Sequence, residues 1–139
     1  MLLKELPIRN ARRYPEKTAL VFGKRRYTFK EFNNRVNSLV NALLGMGIKK
    51  GDRVGMLSDN CSQYAEMYFC AAKSGIVIMP LNTGLGNSDL SYIINNSEAN
   101  TLILQERYLG SCTFKIVFVD KVSNFIVIGE APEGMRSYE

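Results

Sequence analysis

The 139-residue sequence contains no histidine. That absence removes Ser-His-Asp and Cys-His nucleophilic catalysis, together with every imidazole general base, and it takes away the commonest metal ligand. Cysteine is scarce as well. Cys61, Cys70 and Cys112 are an odd number at wide spacings, which suits neither a disulfide framework nor a zinc ligand set. They read as small apolar residues in a reducing compartment. Long hydrophobic runs are also missing: stretches such as Ile76 to Met79 fall far short of the roughly 20 apolar residues a membrane span needs. Lys4 and Glu5 interrupt the N-terminus before the apolar region of a secretory signal can develop, so a cytoplasmic protein is expected. There is no low-complexity tract, solenoid-period repeat or Pro/Ser-rich linker.

What is present fits one globular α/β unit, with 46% apolar and 22% charged residues. The net charge of +5 is unevenly spread. Residues 1–53 hold 13 Lys or Arg against 4 Asp or Glu, and residues 54–139 hold 5 against 9. A basic half can attract nucleic acid, an anionic membrane surface or a phosphorylated cofactor. Yet Arg12-Arg13, Lys24-Arg25-Arg26 and Lys49-Lys50 fall on different elements, so no long basic helix results and a solvated surface is expected.

Residues 2–13 suggest a first helix, ended at Tyr14-Pro15 because proline disfavours helical geometry in its predecessor. Residues 19–22 and 25–27 form a hairpin pattern around Gly23-Lys24, where Gly23 can take the positive φ of a tight turn. Thr28 and Glu31 fit a capping box, flanked by Tyr27 and Phe32 as a hydrophobic staple. Phe32, Val36, Leu39, Val40, Leu43 and Leu44 then recur at helical spacing, and Gly45 or Gly47 ends the helix. A strand over 53–58 precedes a cap at Asp59 or Asn60 and a helix whose apolar face is Tyr64, Ala65, Tyr68, Phe69 and Ala72. Ile76 to Met79 is a strand stopped by Pro80, followed by a loop over 81–86, a cap at Asn87 or Ser88 and a short helix. Further strands are expected over 101–104, 115–119 and 125–128, with a weakly helical stretch over 105–110. This alternation implies parallel pairing: a three-layer, mostly parallel sheet with flanking helices, plus the small early hairpin. Ser137-Tyr138-Glu139 has the form of a helix cap and first turn.

A search for chemistry finds little. Gly45, Gly47 and Gly51 follow a helix and have the wrong spacing for a dinucleotide loop. Thr83-Gly84-Leu85-Gly86 is better placed, after a strand and before a helix, but lacks the lysine of a phosphate loop; it reads as an ordinary βα loop, with an anion or ligand contact as the alternative. Asp52, Asp59, Glu66 and Asp89 are scattered and read as surface charges. The stripe Tyr64, Tyr68, Phe69 reads as core packing rather than an acyl or base platform.

Taken as an ordered string, the sequence resembles the beginning of the AMP-forming (adenylate-forming) ligases over nearly its whole length. Asn10 to Leu20 is similar to the opening helix and its Pro-acidic-Lys-x-Ala turn, and Arg26 to Phe32 to the aromatic-Thr-x-x-Glu-apolar core motif. Gly47-Ile48-Lys49-Lys50-Gly51-Asp52-Arg53-Val54 is similar to the Gly-Val-x-x-Gly-Asp-x-Val turn, Ser58-Asp59-Asn60 to the small-x-Asn strand end, and Ala71 to Asn82 to the motif with Lys-x-Gly and Pro-Leu-Asn. Ser74 departs from the usual alanine, Cys61 and Ser62 replace the usual residues after Asn60, and residues 105–124 follow the pattern loosely.

The resemblance implies an acyl-CoA synthetase, specifically a long-chain fatty-acid–CoA ligase, of which residues 1–139 are one incomplete domain, the N-terminal portion of the AMP-binding large domain. Its implied substrates and cofactors are a fatty acid or other carboxylate, ATP, Mg²⁺ and CoA. The family's phosphate loop, nucleotide contacts and acyl pocket lie downstream; Gly129 to Glu139 resemble the stretch shortly before that loop. No catalytic, cofactor-binding or metal-binding residue is therefore expected here, and the piece alone is expected to be inactive, without tight binding of ATP, Mg²⁺ or CoA. No nucleic-acid partner is expected, and a homodimer is a candidate assembly. The alternatives are a non-catalytic interaction module on the same scaffold, or a ligase for an aryl acid or amino acid.

Overall fold

The structure, a computed structural model, describes residues 2–109 and 121–139, and divides into two compact units. The first comprises Met1–Gly51 and Asn60–Ile76; the second comprises Asp52–Asp59 and Val77–Glu139. The strand expected over 115–119 lies outside the described residues.

The first unit holds α1 (Glu5–Arg13), the strands β1 (Thr18–Phe22) and β2 (Arg25–Thr28), α2 (Phe29–Gly45) and α3 (Ser62–Ser74). β1 and β2 form the expected antiparallel hairpin, with Gly23 at φ 58 in the first central position of its two-residue turn. Thr28 then caps α2 as its sequence demands: the Glu31 N–H donates to Thr28 Oγ1 at 3.2 Å, and the Thr28 N–H donates to Glu31 Oε2 at 2.8 Å. Phe32, Val36, Leu39 and Leu43 are the buried stripe of α2. Leu44, assigned to that face from the sequence, is 46% exposed, since it lies one residue, or about 100°, past Leu43. The chain leaves α2 through Met46 and Gly47. Phe32 meets Phe69 of α3 edge to face at 5.5 Å between ring centres.

Two expectations for α3 fail. The cap position is Cys61, without a side-chain cap bond, rather than Asp59 or Asn60. The buried stripe is Ser62, Gln63, Glu66, Met67 and Cys70, whereas Tyr68 is 47% exposed. Apolarity alone misjudged the helix's orientation, because a carboxylate occupies its most buried face.

The second unit is built on a five-stranded parallel sheet of order β4 (Val77–Pro80), β3 (Arg53–Leu57), β5 (Thr101–Gln105), β6 (Asn124–Ile128), β7 (Arg136–Ser137). Val54, Gly55, Met56 and Leu57 are all buried, as are Thr101 to Leu104, which is why both strands read as near-continuous apolar runs rather than alternating ones. Pro80 is accommodated as the last residue of the edge strand β4. Helix α4 (Asn87–Ser97) sets Leu90 and Ile94 in one apolar cluster with Leu57, Leu81, Leu102, Leu104, Val122 and Val127. Its cap is Gly86, one residue before the predicted Asn87. The mostly parallel α/β sheet with its separate hairpin is the fold class expected.

At the C-terminus the outcome differs from the expected helical turn. Arg136 and Ser137 pair with Ile126 and Val127 as β7, and the Tyr138 N–H donates to the Val127 carbonyl at 2.9 Å. An available strand edge satisfies these backbone groups, which a local cap signal does not anticipate.

Candidate functional site

All strands of the sheet run in parallel, so the loops after β3, β4, β5 and β6 emerge at one edge. β3 and β5 are neighbours, but the chain leaves β3 toward β4 on one side and leaves β5 toward β6 on the other. Divergence of this kind is a topological switch point, where an open α/β sheet leaves a crevice outside the carboxyl ends of its strands. The residues that open the two loops are Ser58-Asp59 after β3 and Glu106-Arg107-Tyr108, a single 3₁₀ turn, after β5.

These residues reach across the switch point. Asp59 Oδ2 accepts from Arg107 Nη1 at 2.6 Å, and Asp59 Oδ1 accepts from the Tyr108 hydroxyl at 2.5 Å. The Asp59 N–H donates to Gln105 Oε1 at 3.1 Å, and the Ser58 hydroxyl donates to the Asp59 carbonyl at 2.8 Å. Arg107 also lies over the Tyr108 ring, 5.3 Å from its centre. The side chains of Asp59 and Arg107 are 41% and 65% exposed, so this pairing faces solvent. On the far side of β5, Glu106 Oε2 accepts from the Glu130 N–H at 2.9 Å, which ties the loop after β5 to the loop after β6.

The loop after β4 completes this edge. Asn82 Oδ1 accepts from the Gly84 N–H at 2.9 Å and the Asn82 carbonyl from the Leu85 N–H at 3.2 Å, an Asx-type turn that carries the chain to Gly86 and the start of α4. From the sequence, Thr83–Gly86 reads as a βα loop and Asp59 as one of four scattered surface charges; the structure places both at the carboxyl edge. Gln105, Arg107 and Tyr108 carry no such reading in the sequence. The available signal was a polar Gln-Glu-Arg-Tyr run directly after a buried strand.

Other candidates lie elsewhere. Glu66, expected on the surface, is 1% exposed and paired with Arg35 in the first unit. Tyr64 and Tyr68 stack at a tilt, 5.8 Å between centres, and burial, then the neighbouring Tyr68, pushes the Tyr64 phenol above its ordinary value. Asp89 sits in the first turn of α4, where a negative charge is favoured by the helix dipole. The three basic clusters sit on α1, on the hairpin and in the loop after α2. Among the described residues no group of three or more Cys, Asp or Glu side chains comes together.

The parallel sheet, with polar side chains gathered at its switch point, places the chain in the class of open parallel α/β folds. Within that class the assignment is specific: residues 8–132 match the model of the AMP-binding enzyme family, and the chain belongs to that family. It is 29% identical over 126 residues to the 4-hydroxybutyrate–CoA ligase 2 of Metallosphaera sedula, an alignment covering 91% of this chain and 22% of that protein. The crystal structure of the anthranilate CoA ligase AuaEII in complex with anthranoyl-AMP matches with a TM-score of 0.90 at 29% identity, covering 99% of this chain and 27% of the other. A Mycobacterium tuberculosis fatty acyl CoA synthetase matches with a TM-score of 0.83 at 26% identity, over 91% of this chain and 26% of that one. The chain thus spans about a fifth to a quarter of these proteins.

Proposed function

We propose that this chain is the opening part of the large domain of an ATP-dependent, AMP-forming acyl-CoA ligase, with residues 1–139 as a single incomplete domain. In the parent reaction a carboxylate oxygen attacks the α-phosphorus of ATP. The bond to the leaving pyrophosphate breaks and an acyl-adenylate forms. The CoA thiol then loses its proton and attacks the acyl carbon, and AMP departs as the carbon–oxygen bond breaks. The observation that carries this reading is the match along 99% of the chain to a CoA ligase whose structure contains an acyl-adenylate.

Within that reaction we assign the chain a scaffold role, with no catalytic, cofactor-binding or metal-binding residue. The chain has no imidazole base, and the side chains at the switch point are engaged with one another: Asp59 is held by Arg107 and Tyr108 and so orients two loops. The acyl group we propose is a fatty acid, in line with the fatty acyl CoA synthetase among the matching structures. Among the described residues no helix is long and apolar enough to cross a membrane, and we place the parent enzyme in the cytoplasm.

The test uses the product of the full reading frame and the 139-residue chain side by side, with ATP, Mg²⁺, CoA and a panel of fatty, aryl and amino acids. Pyrophosphate release and thioester formation are expected from the full product with fatty acids, and neither from the 139-residue chain. Turnover of aryl acids alone would remove the fatty-acyl assignment. A full product inert toward every carboxylate would favour a non-catalytic module, and pyrophosphate release by the short chain would overturn the scaffold role.

A further inference from the structure

The tip of the β1–β2 hairpin combines features that a solvated turn does not need. Val21 and Phe22 are 49% and 46% exposed, and Gly23, Lys24, Arg25 and Arg26 are exposed as well. The register sets Val21 opposite Arg26 and Phe22 opposite Arg25. Successive residues of a strand point to opposite faces, so each face of the ribbon tip presents one large apolar side chain beside one guanidinium. Lys24 adds a third cation in the turn. The nearest acidic residues in sequence are Glu16 and Glu31, and none of the three cations forms an ion pair among the described residues.

We propose that this hairpin tip is a docking element for an anionic phospholipid surface. The phosphates and serine carboxylates of such a surface supply the missing counter-charge for Lys24, Arg25 and Arg26. Val21 and Phe22 then enter the boundary between headgroups and acyl chains, where their exposed area leaves water. The arginine stems lie along the same boundary with their charged ends at the phosphates. A nucleic acid would satisfy the cations but offers no apolar phase to the valine, which is why the geometry favours lipid. The site lies wholly on the hairpin and does not depend on the reaction proposed above.

The test is co-sedimentation of the 139-residue chain with vesicles of phosphatidylcholine alone and of phosphatidylcholine mixed with phosphatidylserine. Binding is expected only to the mixed vesicles. Neutralising K24Q/R25Q/R26Q should weaken it on the order of 100-fold, since each cation near such a surface contributes about five-fold. V21S/F22S should weaken it about ten-fold or more, because two half-exposed apolar side chains no longer leave water, while R9Q/R12Q/R13Q on α1, of equal charge change, should have a much smaller effect. All these positions are exposed, and circular dichroism verifies that each variant is folded. Because the chain has no tryptophan, F22W provides a single fluorophore at the tip, whose emission should shift to the blue on mixed vesicles. The proposal is overturned if mixed vesicles do not bind, if the α1 variant loses as much as the tip variant, if V21S/F22S binds like the parent chain, or if F22W shows no shift. Competition by single-stranded RNA that is insensitive to V21S/F22S would likewise assign the tip to nucleic acid instead.

Discussion

Arg35 of α2 grips Glu66 of α3 with two nitrogens, Nε at 2.5 Å from Oε1 and Nη2 at 3.3 Å from Oε2, and the carboxylate it holds is 1% exposed. A buried carboxylate with a forked partner is tolerated, whereas one stripped of that partner is not. Arg35 also lies over the Tyr27 ring, 5.3 Å from its centre, so one side chain connects the hairpin, α2 and α3.

Arg35→Met should therefore destabilise the chain by about 3 kcal/mol, at the low end for a broken buried pair because Arg35 remains 28% exposed. Adding Glu66→Leu should restore most of that loss, since the buried carboxylate that Arg35 balanced is then gone. Urea denaturation of both single variants and the double variant measures the coupling; simple additivity would show that the pair does not hold α2 and α3 together.

The capping box makes a pH prediction. The Thr28 N–H, then the Thr28 hydroxyl, hold the Glu31 carboxyl below its ordinary value of 4.5. A depressed carboxyl stabilises the fold above its unfolded-state pKa, and that contribution is lost as pH falls through the folded-state value. Glu31→Gln should accordingly flatten the acid limb of the stability curve between pH 5 and the onset of acid unfolding. Thr28→Ala should cost about 1 kcal/mol at neutral pH. Melting temperatures across an acid pH series test both.

Cys70 is buried, and burial pushes its thiol up from 9.0 to about 11, against smaller opposing effects of Ser74 and Lys73. A neutral thiol is the unreactive form, so Cys70 should resist iodoacetamide at pH 8 while the half-buried Cys61 is modified, as read by peptide-resolved mass spectrometry. The sign for stability follows: the unfolded thiol ionises first, so Cys70's contribution is complete below pH 9 and declines as pH rises toward 11. Cys70→Ser should change that alkaline limb; an unchanged limb would place Cys70 in water.

Two helices end in the same left-handed conformation with different residues. Gly75 closes α3 at φ 79 and Glu98 closes α4 at φ 60. A Cβ at Gly75 would also stand 2.6 Å from Lys50 Cγ. Gly75→Ala should cost at least about 1 kcal/mol, and Glu98→Gly should be neutral to stabilising by about 0.5 kcal/mol, the exposed pair Glu98 makes with Arg53 at 3.5 Å being worth little. Urea midpoints of the two variants should move in opposite directions or differ by that margin.

Local features are legible in the order of residues: the capping box at Thr28 and Glu31, the glycine turn at Gly23, the runs that became β3 and β5, and the ordered motifs that resemble the AMP-forming ligases. Each depends on residues within a few positions of one another, where propensity, hydrogen-bond reach and spacing suffice. Residue order alone left the orientation of α3 wrong, because apolarity points to Tyr64 and Tyr68 while the buried face belongs to Glu66, whose partner Arg35 is 31 residues away. It left the carboxyl edge unassembled for the same reason. Asp59 meets Arg107 and Tyr108 only because β3 and β5 lie side by side, and that adjacency is decided by tertiary pairing across 48 residues of chain.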